Sequence, residues 1–250
     1  MELPLPLFIS FEGGEGSGKT SLAENISVRL RDSEYKVILI HEPGTTPLGI
    51  HLRDLLKREP WSDHTVSIGA ELFLFSASRA ELVTKVIKPV FDQKQQIVLL
   101  ADRYADSTVA YQGFGRKLPI AQIDAINDLA TQGIIPHHTF LLDLPPEEGL
   151  KRTGSPQISL PLEFDDGLAI VEPRIDEDGT RRFENESLEF HERVRAGYHK
   201  LVEMQPERWE VIDATMSAME VECEVWKRIL RYLPEDSLQV SDIQRKGQML

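Results

Sequence analysis

The residues with the clearest chemistry are Gly13-Gly14-Glu15-Gly16-Ser17-Gly18-Lys19-Thr20, which fit the pattern G-x4-G-K-[ST]. Glycines at this spacing let successive backbone N–H groups turn inward and form a concave nest for an anion. A helix opening near Gly18 points the positive end of its dipole into the same nest. Lys19 supplies a mobile positive charge for the β- and γ-phosphates of a nucleotide, and the Thr20 hydroxyl suits a Mg²⁺ ion. The segment follows an apolar run and precedes a helical one, the context in which such a loop binds phosphate.

A second acid closes the apolar run Ile97-Val98-Leu99-Leu100-Ala101-Asp102. A motor or transporter ATPase would add a catalytic acid there, but Arg103 and Tyr104 follow instead. No N-K-x-D guanine motif appears on a later strand, which argues against a GTPase. A kinase and a sulfotransferase-like enzyme both fit these observations.

These groups need a frame. Leu7 to Phe11, Val37 to Ile40, Ile97 to Ala101, Phe140 to Leu144 and Trp209 to Ile212 read as strands buried on both faces. Helical periodicity covers Ser17 to Arg31, Pro47 to Lys57, Ser67 to Gln93, Pro119 to Gln132, Glu184 to Glu203 and Ser217 to Leu233. The alternation predicts an α/β fold of the P-loop NTPase type. It is a doubly wound, five-stranded parallel sheet with helices on both faces and a lid insertion. Ligands in such sheets bind beyond the carboxyl ends of the strands. We expect one domain over residues 1–233, with the lid at about 151–183 and a polar tail from 234 to 250. The lid carries Pro156, Pro161, Pro173 and a run of acids, with little periodicity.

With 250 residues, 41% of them hydrophobic, the chain can bury one sizeable core. A formal charge of −13 argues against bulk nucleic acid or an anionic membrane as partner. One cysteine, Cys223, rules out an intrachain disulfide and fits a reducing compartment. The N-terminal residues lack the pattern of a signal peptide, and no stretch approaches the roughly 20 apolar residues of a membrane span. The expected location is cytoplasmic.

Several further motifs occur in order: Glu42-Pro43-Gly44, Phe75 with Arg79, Asp102-Arg103-Tyr104, and Ser107-Thr108-Val109-Ala110-Tyr111-Gln112-Gly113. Together with the phosphate loop they resemble the thymidylate kinase family, from about Phe8 to Leu150 and again from Arg182 to about Thr215. The resemblance implies ATP and dTMP as ligands, Mg²⁺ as cofactor and a homodimer. It implies that Phe75 stacks on thymine, that Arg79, Thr108 and Gln112 contact the base, and that Tyr111 crowds the sugar 2′ position. It further implies that Arg53 and Arg103 hold the acceptor phosphate, that Glu15 reaches the 3′-hydroxyl, and that Glu42 serves the acceptor and metal side. Asp102 joins Thr20 near the metal, and Arg152 stacks on adenine.

An acceptor phosphate is largely ionised at neutral pH, so no general base is required. The seven histidines read as surface or packing residues. Catalysis then consists of alignment and charge neutralisation by Lys19, Arg103 and a lid arginine. The family resembled carries a catalytic arginine either in the phosphate loop or in the lid, and since the loop here has Glu15 and no basic residue before Lys19, the resemblance implies a lid arginine. The candidates are Arg152, Arg174, Arg181 and Arg182, the last opening the next helix as Arg182-Phe183-Glu184. Two departures from the family pattern are Thr45-Thr46 after Gly44 and His41 before Glu42. The competing readings are a kinase for another nucleoside monophosphate and a nucleotide-binding regulator without turnover.

Overall fold

Apolar runs with no polar face need cover on both sides, and the computed structural model supplies it. It describes residues 6–57, 66–93, 95–153 and 183–233. Five strands, β1 (Leu7–Gly13), β2 (Lys36–His41), β3 (Ile97–Asp102), β4 (His138–Asp143) and β5 (Trp209–Asp213), form one parallel sheet in the order β2-β3-β1-β4-β5. The helices are α1 (Lys19–Asp32), α2 (Pro47–Lys57), α3 (Ile68–Leu82), α4 (Lys88–Asp92), α5 (Ala105–Thr108), α6 (Ile120–Thr131), α7 (Pro146–Thr153), α8 (Leu188–Met204) and α9 (Ala218–Ile229).

The two faces of β1 show how the core is divided. Leu7, Ile9 and Phe11 pack with Leu22, Ile26 and Leu30 of α1 and with Val225 and Ile229 of α9. Phe8, one residue out of phase, packs with Leu82, Val83, Ile87 and Tyr104. Farther along the sheet, Leu141 and Trp209 meet Phe190, Val194 and Tyr198 of α8. β1 is central, paired with β3 on one side and β4 on the other, and ligands of such sheets bind beyond the carboxyl ends of the strands.

Local signals fix several helix starts. Ser67 and Ser187 accept from the N–H groups of Ala70 and Phe190, and Ser217 forms a capping box with Glu220. The long helix expected over 67–93 is present as α3 and α4 joined by a π-helical turn, Val83–Ile87. Two elements escaped the sequence reading. Ser107–Gly113 is helical, with α5 running into a π-helical Val109–Gly115, and α7 forms a short helix after β4. Thus residues 151–153, expected to begin the lid, end α7. The rest of the lid to 182, including Arg174, Arg181 and Arg182, and the tail 234–250 lie outside the described residues.

Candidate active site

The phosphate loop leaves β1 at Gly13, and Gly16 and Gly18 both take positive φ, 69° and 89°, which a side chain would oppose. Lys19 opens α1. Its ammonium donates to the Gly14 carbonyl at 2.6 Å and to Ser17 Oγ at 3.0 Å, curled over the nest where phosphate would lie. Burial, then the nearby Arg103 charge, lowers the Lys19 ammonium to about 8. Thr20 donates to Asp102 Oδ2 at 2.6 Å, and Asp102 Oδ1 is buried with no partner.

Asp102 ends β3, beside Phe11 of β1 and His41 of β2. The next residue, Arg103, turns into the left-handed region at φ 70°. Its guanidinium donates to the Gly13 carbonyl (3.1 Å), Glu15 Oε1 (2.9 Å) and the Tyr111 hydroxyl (3.0 Å). Tyr111 in turn donates to Glu15 Oε1 at 2.7 Å. Burial alone would raise the Glu15 carboxyl, but Arg103 and Lys19 together hold it down at about 2. Lys19, Thr20, Asp102, Arg103, Glu15 and Tyr111 therefore form one cluster.

A second cluster lies behind it. Arg79, 1% exposed, donates from Nε and Nη2 to Glu42 Oε2 at 2.8 and 2.6 Å, from Nη1 to Asn127 Oδ1 and from Nη2 to Thr108 Oγ1. Glu42 Oε1 is buried and unpartnered, and burial lifts the Glu42 carboxyl above its ordinary range even beside Arg79. Phe75, half-buried on α3, lies against Phe183, which meets Tyr111 edge-on. Arg79 and Thr108 are thus bonded to each other and buried, and Phe183 links Phe75 to Tyr111.

Other expected site residues are engaged elsewhere. Gln112 donates to Glu71, which also receives Arg116. Arg53 donates to the Pro43 carbonyl at 3.1 Å, placing it beside Gly44. Arg152 donates to the Ala214 carbonyl just after β5. The departures at His41 and Thr45 belong to one loop closure: the Thr45 hydroxyl both accepts from the His41 N–H and donates to the His41 carbonyl.

Two buried groups near the loop are not among the expected site residues. Glu12 accepts four hydrogen bonds, and burial followed by the Asp106 charge lifts it to about 7. His191 of α8, read above as a packing residue, is 4% exposed, lines a small cavity with Gly14 and Glu15, and leaves Nε2 unpartnered. An acid within an otherwise apolar strand is the one signal that marks Glu12 in the sequence.

A glycine-rich loop between a central parallel strand and a helix, with a strand-end carboxylate bonded to its threonine, defines a fold of the P-loop NTPase type. The family model for thymidylate kinase matches residues 11–166. A thymidylate kinase of Chlorobaculum parvum is 39% identical over 231 residues, 92% of this chain and 99% of that protein. One from Nitratidesulfovibrio vulgaris is 41% identical over 215 residues, 86% of this chain and 92% of its own. Among solved structures, a thymidylate kinase from Ehrlichia chaffeensis superposes with a TM-score of 0.64 at 30% identity, covering 90% of this chain and 98% of the other. The chain belongs to the thymidylate kinase family.

Proposed function

We propose that this chain transfers the γ-phosphoryl group of ATP to dTMP, giving ADP and dTDP for the supply of dTTP. The observation that carries the reading is the Arg103 clamp. One guanidinium bonds the phosphate loop at Gly13 and Glu15 and, outside the loop, Tyr111, which supports a place for Arg103 between donor and acceptor.

In this reading Lys19 leaves Gly14 and Ser17 to meet the β- and γ-phosphates, and Arg103 neutralises the acceptor phosphate, with Arg53 at the entrance. The acceptor's ionised oxygen attacks directly, so no side chain needs to remove a proton. Glu15, held ionised, accepts from the sugar 3′-hydroxyl. Phe75 stacks on thymine, Arg79 and Thr108 face its polar edge, and Tyr111 excludes a 2′-hydroxyl. Gln112 acts at one remove, through Glu71, which also holds Arg116. Arg152 stacks on adenine, and Arg182 delivers the remaining positive charge from the lid.

The donor set suits Mg²⁺. Thr20 and Asp102 offer one hydroxyl and one carboxylate, and Asp102 Oδ1 lacks a partner. Among the described residues no cluster of three His, Cys, Asp or Glu side chains could hold a metal alone. An ion bound chiefly by phosphates and waters needs no such cluster, and when bound it would offset phosphate charge.

No helix among the described residues is long and apolar enough to cross a membrane. We place the enzyme in the cytoplasm and, from the exposed Phe73 of α3 and Leu129 of the neighbouring α6, as a homodimer. No role for nucleic acid is required.

The test is a coupled ADP-release assay with ATP, Mg²⁺ and each of dTMP, dUMP, TMP, dGMP and thymidine. Turnover mainly on dTMP is expected, with dUMP about 10- to 200-fold poorer because one methyl group separates them. Preferred turnover of another monophosphate would overturn the base assignment, and ATP binding without turnover on any acceptor would favour the regulator.

A further inference from the structure

Arg103 adopts a backbone conformation that a residue with a Cβ resists, φ 70°, so something must hold it there. Two backbone bonds fix the corner. The Arg103 N–H donates to the Phe11 carbonyl, and the Tyr104 N–H donates to Glu12 Oε1 at 2.7 Å. The side chain is fixed from the same source. Ser107 Oγ and the Tyr198 hydroxyl donate to Glu12 Oε2 at 2.5 and 2.9 Å. With their hydrogens turned to the carboxylate, both hydroxyls present lone pairs to Arg103 Nη1, at 3.2 and 3.3 Å.

We propose that Glu12 is a positioning residue for the acceptor site: through the Tyr104 amide and the Ser107 and Tyr198 hydroxyls it holds Arg103 in the pose that clamps the acceptor phosphate. Glu12 is fully buried, behind the nest, and touches neither ligand. It acts only through Arg103, and it couples α8 to the clamp because Tyr198 comes from that helix. A glutamine keeps the volume of Glu12 but sets an N–H donor where Oε2 accepted, so the hydroxyls must reorient and Arg103 loses its two acceptors. The inference rests on the role of Arg103 stated above.

A double-mutant cycle tests it. In the full-length protein Glu12→Gln should raise KM for the acceptor about tenfold while KM for ATP stays within twofold. In an Arg103→Ala background the same change should alter the acceptor KM by less than twofold. A full-size effect in that background, or no change in a folded Glu12→Gln protein, would overturn the proposal. Should Glu12→Gln fail to fold, Tyr198→Phe and Ser107→Ala each remove one bridge, and unchanged acceptor KM in both would overturn it equally. If the wild-type protein prefers a monophosphate other than dTMP, the cycle is read on that acceptor. If it turns over none, the cycle is read on acceptor affinity by calorimetry, so an error in substrate identity stays separate from an error about Glu12.

Discussion

Replacing Arg79 by methionine isolates its buried pair with Glu42. Arg79 and Glu42 are 1% and 6% exposed, and the guanidinium also bonds Asn127 and Thr108. Methionine keeps much of the stem volume but strips Glu42 Oε2 of both its donors, while Oε1 has none already. Breaking a buried ion pair by removing one partner costs about 3–5 kcal/mol. For a domain of this length each kcal/mol moves Tm by about 2–4 °C, so a drop of about 6–20 °C is expected at pH 7. The pH dependence carries a sign. Burial already raises the Glu42 carboxyl in the folded protein, and losing Arg79 raises it further. A group raised on folding contributes stability that is present below its unfolded pKa and lost as pH rises through its folded pKa. Arg79→Met should therefore recover toward the wild-type Tm as the buffer is lowered from pH 8 to 5. Adding Glu42→Leu should restore most of the stability, since an apolar pair of similar volume replaces buried ions at little cost, yet leave dTMP binding impaired. Differential scanning calorimetry across that range, with acceptor KM measured on each variant, decides the matter. A variant within 1 kcal/mol of wild type at pH 7, with no slope, would refute the reasoning.

Lys19 and the exposed helix face give two further expectations. Burial holds the Lys19 ammonium at about 8 in the free protein, and the charged form binds phosphate. Hence kcat/KM for ATP should fall about tenfold per pH unit above that value, and a flat profile to pH 9.5 would exclude the assignment. Phe73, 63% exposed on α3, should lie in a dimer interface. Phe73→Asp should then yield a monomer in light scattering, with Tm shifted by only a few degrees, whereas an unchanged molecular mass would remove this face from the interface.

Much of the donor site is local, and the sequence determines it. Gly13 to Thr20 form a nest because glycines permit positive φ and a helix begins at Lys19, facts set within a few residues. The strands are legible for a related reason: a parallel strand covered on both faces must be apolar throughout, so its pattern states its environment. The sequence order of Glu42, Phe75, Arg79, Asp102 and Tyr111 marks an acceptor site through resemblance to a family. It does not say which atoms meet. Arg79 reads as a base-binding group, but the fold gives most of its donors to Glu42, Asn127 and Thr108. Gln112 reads as a base contact, but the helical turn of Val109–Gly115 directs its amide to Glu71. Glu12 is invisible in role because its partners are distant, Tyr198 standing 186 residues away in the chain. Long-range hydrogen bonds between buried polar groups have no periodicity to reveal them. Packing of α8 and the β3 corner against β1 alone decides that a strand acid becomes the support of Arg103.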